Sequence, residues 1–104
     1  MNNPRRQNGH RRNQTRAAVL ARDTLCWLPT CRRPVDKTLP HGQDESPEVH
    51  ELIAVSRGGS PYDLDNCVLT HRACNRWIGN RTPAEVLEAI NGQQPRTITT
   101  LVAW

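Results

Sequence analysis

Residues able to do metal and proton chemistry cluster between His50 and Asn75. This segment carries a His-Glu pair at His50 and Glu51, a Gly-Gly loop, and two asparagines at Asn66 and Asn75. Imidazole, carboxylate and amide groups can hold a divalent ion or accept a proton from water. The segment could therefore carry out hydrolysis, provided that the fold brings these side chains to one place.

A second set of residues has the spacing of a zinc site. It consists of two pairs, Cys26 with Cys31 and His71 with Cys74. Zinc favours four tetrahedral thiolate and imidazole ligands, and a short spacing lets one turn direct two of them at one ion. Cys67 lies in an apolar stretch and is predicted to be a buried strand residue. Three alternatives remain: Cys67 could replace His71, the cysteines could be ordinary core residues, or they could form two disulfides.

The helices and strands that position these residues can be predicted from the periodicity of apolar residues and from the glycines and prolines that interrupt it. The predictions are a helix from Gln14 to Asp23, strands over Val49–Val55 and Cys67–Leu69, and a helix from His71 to Gly79. A last helix begins at Thr82, where Thr-Pro-Ala-Glu forms a capping box with proline at the first helical position. Residues 1–13 are polar and basic, without periodicity, and are predicted to be a disordered arm.

The chain is long enough for one small domain. Its 104 residues lack phenylalanine and include eight prolines, so a large apolar core is not expected. Domains with small cores often need a metal or disulfide staple. We expect a single domain over residues 14–104, with its core in residues 26–81, held together by zinc.

The charge distribution favours a nucleic-acid partner. The net charge is +4, and residues 1–22 contain six arginines and no acid. Arginine matches phosphate oxygens well, and counterion release would strengthen the contact. The alternative is a solvated basic tail. We expect nucleic-acid contacts from Arg5, Arg6, Arg11 and Arg12.

The predicted location is intracellular. No apolar run is long enough to cross a membrane, and the basic start lacks the apolar stretch that export requires. In such a compartment, clustered cysteines bind metal more often than they form disulfides.

The motifs VHELI, SRGG, DN and HRACN, followed by Gly79, together resemble the HNH endonuclease family. The likeness runs from about Cys26 to Arg81 and is greatest to small phage and actinobacterial members with paired cysteine knuckles. It implies a small α+β fold: a zinc-stapled ββα-metal core, here with an N-terminal and a C-terminal helix. It also implies DNA hydrolysis with one divalent ion, such as Mg, Mn, Ni or Zn.

The resemblance assigns roles by position. His50 stands where the family usually has a metal-binding Asp, and Glu51 stands where it has the general-base His. Asn66 matches the asparagine that orients the base or supports the loop. Asn75 matches the final metal-binding His or Asn. His71 replaces the first cysteine of the usual second pair.

Two assignments are possible for His50 and Glu51, both of which differ from the family's usual pattern. Either Glu51 takes the proton of water while His50 and Asn75 bind the ion, or Glu51 binds the ion and His50 is the base. We favour the first because it follows the family register. Phosphate contacts are expected from Arg57, Arg72 and Arg76, although a solvated helix face would also explain Arg72.

The sequence therefore predicts an HNH endonuclease acting on DNA, with nicking activity and a phage or mobile-element association. The likeness to phage members suggests packaging proteins as partners. One alternative is a non-catalytic, zinc-stapled DNA-binding accessory protein, in which Glu51 marks a degenerate site. Another is a protein-interaction domain with a structural zinc.

Overall fold

The computed structural model describes residues 4–93, which form three helices and a two-stranded antiparallel sheet. The helices are α1 (Pro4–Arg22), α2 (Arg72–Ile78) and α3 (Pro83–Gln93), and the strands are β1 (Pro47–Glu51) and β2 (Cys67–His71). The consecutive β1, β2 and α2 make a ββα unit, flanked by an N-terminal and a C-terminal helix. The predicted small α+β fold is confirmed.

The hairpin pairs His50 with Val68 and Glu51 with Cys67. β1 ends four residues before the predicted end at Val55, because the chain turns away from β2 after Glu51. β2 continues to His71, two residues past its predicted end. On its other side, β2 receives a hydrogen bond from the loop after α1, where the Trp27 N–H donates to the Leu69 carbonyl over 2.8 Å.

The first helix is longer than its apolar pattern indicates. It begins at Pro4, ten residues before the predicted start at Gln14. Proline suits the first helical position because its missing N–H has no intrahelical partner there. Near the other end Val19 is fully buried, so α1 is anchored to the body through its last turns.

The start of α3 has the predicted capping box. The Thr82 N–H donates to Glu85 Oε1 over 2.8 Å, and the Glu85 N–H donates to Thr82 Oγ1 over 3.2 Å. Gly92, a residue that often ends a helix, lies within α3, which continues to Gln93. The weakly alternating tail after Gln93, which could add a strand, lies outside the described residues.

The core is small and contains no fully buried aromatic side chain in the described part of the chain. Nine apolar residues are buried: Val19, Cys26, Leu28, Val35, Cys67, Leu69, Ile78, Val86 and Ile90. They come from the three helices, β2 and the loop between α1 and β1. Within residues 4–93, no helix has the length and apolar character needed to span a membrane.

Candidate functional site

The four predicted zinc ligands converge. Their ligand atoms all lie within 4.8 Å of one another. Cys26 and Cys31 come from the loop after α1, His71 closes β2, and Cys74 lies in the first turn of α2. His71 Nδ1 lies 3.4 Å from Cys31 Sγ and 3.9 Å from Cys74 Sγ. This cluster could bind a structural zinc ion.

The contact of the second ring nitrogen of His71 is consistent with zinc binding through the first. His71 Nε2 lies 3.1 Å from the carbonyl oxygen of Pro34. When Nδ1 faces a metal, Nε2 carries the ring proton, and a carbonyl is its usual outer partner. Cys67 lies outside the cluster and is fully buried in β2, as predicted, and all four cysteines are free thiols.

The thiols in the cluster have unequal proton affinities. Burial raises the pKa of Cys31, but hydrogen bonds from the Arg33 backbone and from neighbouring thiols outweigh it and bring the value to about 7. Burial and then the charge of Cys26 raise the pKa of Cys74 to about 12. The Cys74 thiol is therefore protonated at neutral pH unless a nearby positive charge offsets the thiolate. A zinc ion provides that charge, so the donor set fits the metal.

His50 and Asn75 meet on the side of the hairpin that faces α2. His50 is 4% exposed, and its Nδ1 lies 2.9 Å from Asn75 Oδ1. Burial lowers the pKa of His50, although the contact with Asn75 and the charge of Glu51 act in the opposite direction. The imidazole is therefore favoured in its neutral form, which can bind a metal or accept a proton. The Trp27 ring lies beside it, with ring centroids 6.1 Å apart.

The sequence prediction missed Glu48. Its Oε1 accepts a hydrogen bond from Asn75 Nδ2 over 2.9 Å, so a carboxylate, an amide and an imidazole form one connected group. Glu48 lies two residues before His50 on β1. The period-two alternation of a strand puts such residues on the same face, and that signal was present in the sequence.

Glu51 follows His50 on β1, and strand alternation directs its side chain away from His50, toward α1. It lines a cavity of about 240 Å³ together with Arg12, Thr15, Arg16 and Glu48, so this cavity also reaches the carboxylate that contacts Asn75. Its Oε2 is buried and has no hydrogen-bond partner among the described residues. A buried polar atom without a partner is costly, which marks this oxygen as one that a ligand, water or proton could satisfy.

Asn66 supports the loop between the strands. Its Nδ2 donates to the carbonyls of Ile53 (3.0 Å) and Ser60 (3.1 Å), and its Oδ1 accepts from the Ile53 N–H (2.9 Å). Gly59 passes close by: a Cβ there would lie 1.7 Å from the Ile53 carbonyl oxygen. Asn66 has no hydrogen bond to His50 or Asn75. Its contacts match the loop-supporting role of the two that the resemblance implies.

The predicted phosphate-binding arginines have different environments. Arg57 pairs with Glu85 and donates to the Asn80 carbonyl over 3.3 Å. Arg72 pairs with Glu48 at 3.6 Å and with Asp44 at 4.0 Å. The exposed Arg76 has no ion pair with another described residue.

The arginines of the N-terminal arm are also spread out. The Arg11 guanidinium lies over the Tyr62 ring, 3.9 Å from its centroid. Arg12 lines the cavity beside Glu51. The side chains of Arg5 and Arg6 lie outside the described part of the structure.

With this geometry in view, the sequence was compared with known protein families. It matches the HNH endonuclease family over residues 29–81, just over half of its 104 residues. The chain therefore belongs to the HNH endonuclease family. The match covers β1, β2, α2 and three of the four clustered zinc ligands. Membership indicates a nuclease-type function and DNA binding. A comparison with solved structures found no match.

Proposed function

We propose that this protein is a metal-dependent endonuclease that hydrolyses phosphodiester bonds of DNA. The observation that carries the proposal is the meeting of His50 and Asn75 inside the family-matched segment, with Nδ1 and Oδ1 2.9 Å apart. Two ligands that share one ion lie about this far apart. An imidazole and an amide oxygen suit Mn, Ni or Zn at least as well as Mg.

In the proposed site, His50 and Asn75 hold the divalent ion and Glu51 accepts the proton of the attacking water. When bound, the ion would act as a Lewis acid and offset the charge that develops on the phosphate. The contact between His50 and Asn75 favours these two residues as the ligand pair. Glu51 is the last residue of β1, and in this assignment its carboxylate must reach the attacking water around the end of the strand. The unpartnered Oε2 of Glu51 leaves that oxygen available for a proton.

DNA affinity would come from arginines outside the cutting residues. Arg11 and Arg12 lie on α1, and Arg76 is exposed on α2. We propose that residues 1–13 act as a DNA-contacting arm of a single nuclease domain over residues 14–104. Asn66 keeps the loop in place. Arg57 and Arg72 would need to exchange their present acidic partners for phosphate, so they are weaker candidates.

A second function has one specific observation in its favour. Glu51 replaces the more basic histidine and lies on the opposite side of the hairpin from His50. A carboxylate is a weaker base than imidazole at neutral pH. This departure would suit an accessory protein that binds DNA without cutting it. A phage packaging context in a bacterial cytoplasm is compatible with either function.

A cleavage assay separates the two functions. Supercoiled plasmid is incubated with zinc-loaded protein and Mg, Mn or Ni, using wild type, Glu51→Ala, Asn75→Ala and, as a matched control, the exposed Glu88→Ala. We expect wild type and Glu88→Ala to nick the plasmid. Loss of a general base should slow Glu51→Ala by roughly 10²- to 10⁴-fold.

Nicking that Glu51→Ala and Asn75→Ala both retain would contradict the site assignment. Salt-sensitive DNA binding without cleavage in any metal would establish the accessory function instead.

A further inference from the structure

We propose that Glu48 is a positioning residue, which fixes the Asn75 amide so that its oxygen, and not its nitrogen, faces His50. The inference rests on the proposed function in one respect: it takes the space beside His50 and Asn75 to be the site of the divalent ion. Glu48 itself is not proposed to touch the ion or the DNA.

The chemistry of an asparagine side chain makes such a fixing residue necessary. Its amide has an oxygen that can bind a metal ion and an NH₂ group that cannot, and a half turn about the last side-chain bond exchanges them. His50 alone does not choose between the two, because a neutral imidazole nitrogen can either donate or accept. The contact between His50 and Asn75 is therefore compatible with either orientation.

Glu48 removes this ambiguity. An ionised carboxylate only accepts hydrogen bonds, so the group that faces Glu48 Oε1 over 2.9 Å must be the Asn75 NH₂. The Asn75 oxygen is then directed at His50 Nδ1. The reverse orientation would bring the amide oxygen against the carboxylate oxygen, which is repulsive.

The surroundings of Glu48 hold its carboxylate in place. Its side chain is 20% exposed, and Oε2 lies 3.6 Å from Arg72 Nε, which leaves Oε1 for Asn75. Its backbone carbonyl accepts from Thr70 Oγ1 over 3.1 Å, and Thr70 is fully buried. Arg72, Glu48, Asn75 and His50 thus form a chain of contacts that runs from the surface into the buried site.

Three variants of the zinc-loaded protein test this role: Glu48→Ala, Glu48→Gln and the exposed Glu88→Ala as control. The first readout is Mn²⁺ affinity by calorimetry. Loss of an outer-shell partner typically weakens metal binding 10- to 100-fold, so we expect roughly a 10-fold loss or more for Glu48→Ala. Glu48→Gln retains an oxygen that can accept from Asn75, and we expect it to restore most of the affinity.

The second readout needs neither the ion nor DNA. In the nitrogen-15 spectrum, the Asn75 NH₂ resonances should shift in Glu48→Ala and stay near their wild-type positions in Glu88→Ala. Zinc content and the thermal midpoint identify any variant that has not folded. If Glu48→Ala does not fold, Glu48→Gln is compared with wild type instead.

Unchanged Asn75 NH₂ resonances in Glu48→Ala would overturn the proposal. So would a Glu48→Gln variant that binds Mn²⁺ as weakly as Glu48→Ala, because the charge of Glu48 would then matter and not the orientation of the amide. Failure of the nuclease function shows up separately, as intact plasmid with the Glu48 effects still present.

Discussion

His50 and Glu51 are adjacent on β1, yet alternation of the strand sends their side chains to opposite sides of the hairpin. His50 lies against Asn75 of α2, whereas Glu51 lies near Arg12 and Arg16 of α1. The environment of each is set by the helix that it faces. His50 and Glu51 therefore differ from the residues that the family usually has at these two positions. They also differ from each other in the residues that surround them.

Burial of His50 leads to a prediction about pH. Because burial disfavours the imidazolium, the pKa of His50 is lowered from its ordinary 6.5. The unfolded chain then binds more protons than the folded one near pH 6, so stability should fall as the pH drops through the ordinary histidine pKa toward the lowered one.

The measurement is a proton NMR titration of the His50 ring in zinc-loaded protein without other divalent ions. The reference is the same ring in the urea-unfolded chain, and zinc content is checked at each pH. A folded-state midpoint at or above the unfolded one would contradict this prediction.

Single residues could be predicted where the pattern that identifies them lies within a few neighbouring positions of the sequence. The zinc ligands were identified because spacing alone brings each pair together within a turn. Glu48 was missed although it shares a strand face with His50, because a carboxylate two residues away matched no expected role. Strand alternation separates Glu51 from His50, but which helix covers the Glu51 side of the hairpin depends on where α1 packs, and that contact is not encoded in the local sequence.

At the scale of elements, the segment between β1 and β2 is held mainly by one side chain. Asn66 satisfies the backbone of Ile53 and Ser60, and Gly59 allows the close approach. The hydrogen bond from the Leu52 N–H to the Asn66 carbonyl, over 2.8 Å, continues the strand pairing for one residue past Glu51. The next N–H, of Ile53, is bound by the Asn66 side chain instead of a strand partner, so the pairing stops there. The predicted strand to Val55 followed apolar residues that belong to this loop.

Replacing Asn66 should open this loop without dissolving the fold. Asn66→Ala leaves the Ile53 N–H and two carbonyls without their partner, so we expect a cost of about 1–3 kcal/mol. Asn66→Asp retains an acceptor for the Ile53 N–H but brings a carboxylate oxygen against the two carbonyl oxygens, which is repulsive, so it should not restore the stability.

Hydrogen exchange of the Ile53 amide measures this directly, with the exposed Asp65→Asn as control. Exchange of the Ile53 amide should be faster in Asn66→Ala than in wild type or in Asp65→Asn. Equal protection of Ile53 in Asn66→Ala and in wild type would show that Asn66 does not hold the loop.

The helices differ in how far local sequence determined them. The start of α3 was predicted from its capping box because that signal is complete within four residues. The start of α1 was not, because residues 4–13 have no apolar periodicity and only Pro4 marks the beginning. Arg11, stacked on Tyr62, provides part of its contact with the body, and that contact links residues far apart in the chain.

On the scale of the whole molecule, the cluster of Cys26, Cys31, His71 and Cys74, which could bind zinc, joins segments that are far apart in the sequence. Its ligands connect the loop after α1 with the end of β2 and the start of α2. Cys26 is itself one of the nine buried apolar residues, so it belongs both to the candidate metal site and to the core. The free energy gained by burying a core of this size would exceed the conformational entropy lost on folding by only a small amount.

Loss of one zinc ligand should therefore unfold the chain. Structural zinc contributes apparent binding free energies of about 10–16 kcal/mol in small zinc domains, which is comparable to or greater than the total stability of most domains. We expect Cys31→Ser to lose zinc and its circular-dichroism signature of folded helix. Cys67→Ser is the matched control: the same exchange at a buried thiol outside the cluster should weaken packing but retain stoichiometric zinc. Metal content by mass spectrometry distinguishes the two, and a folded Cys31→Ser protein with full zinc would show that the four residues do not form the staple.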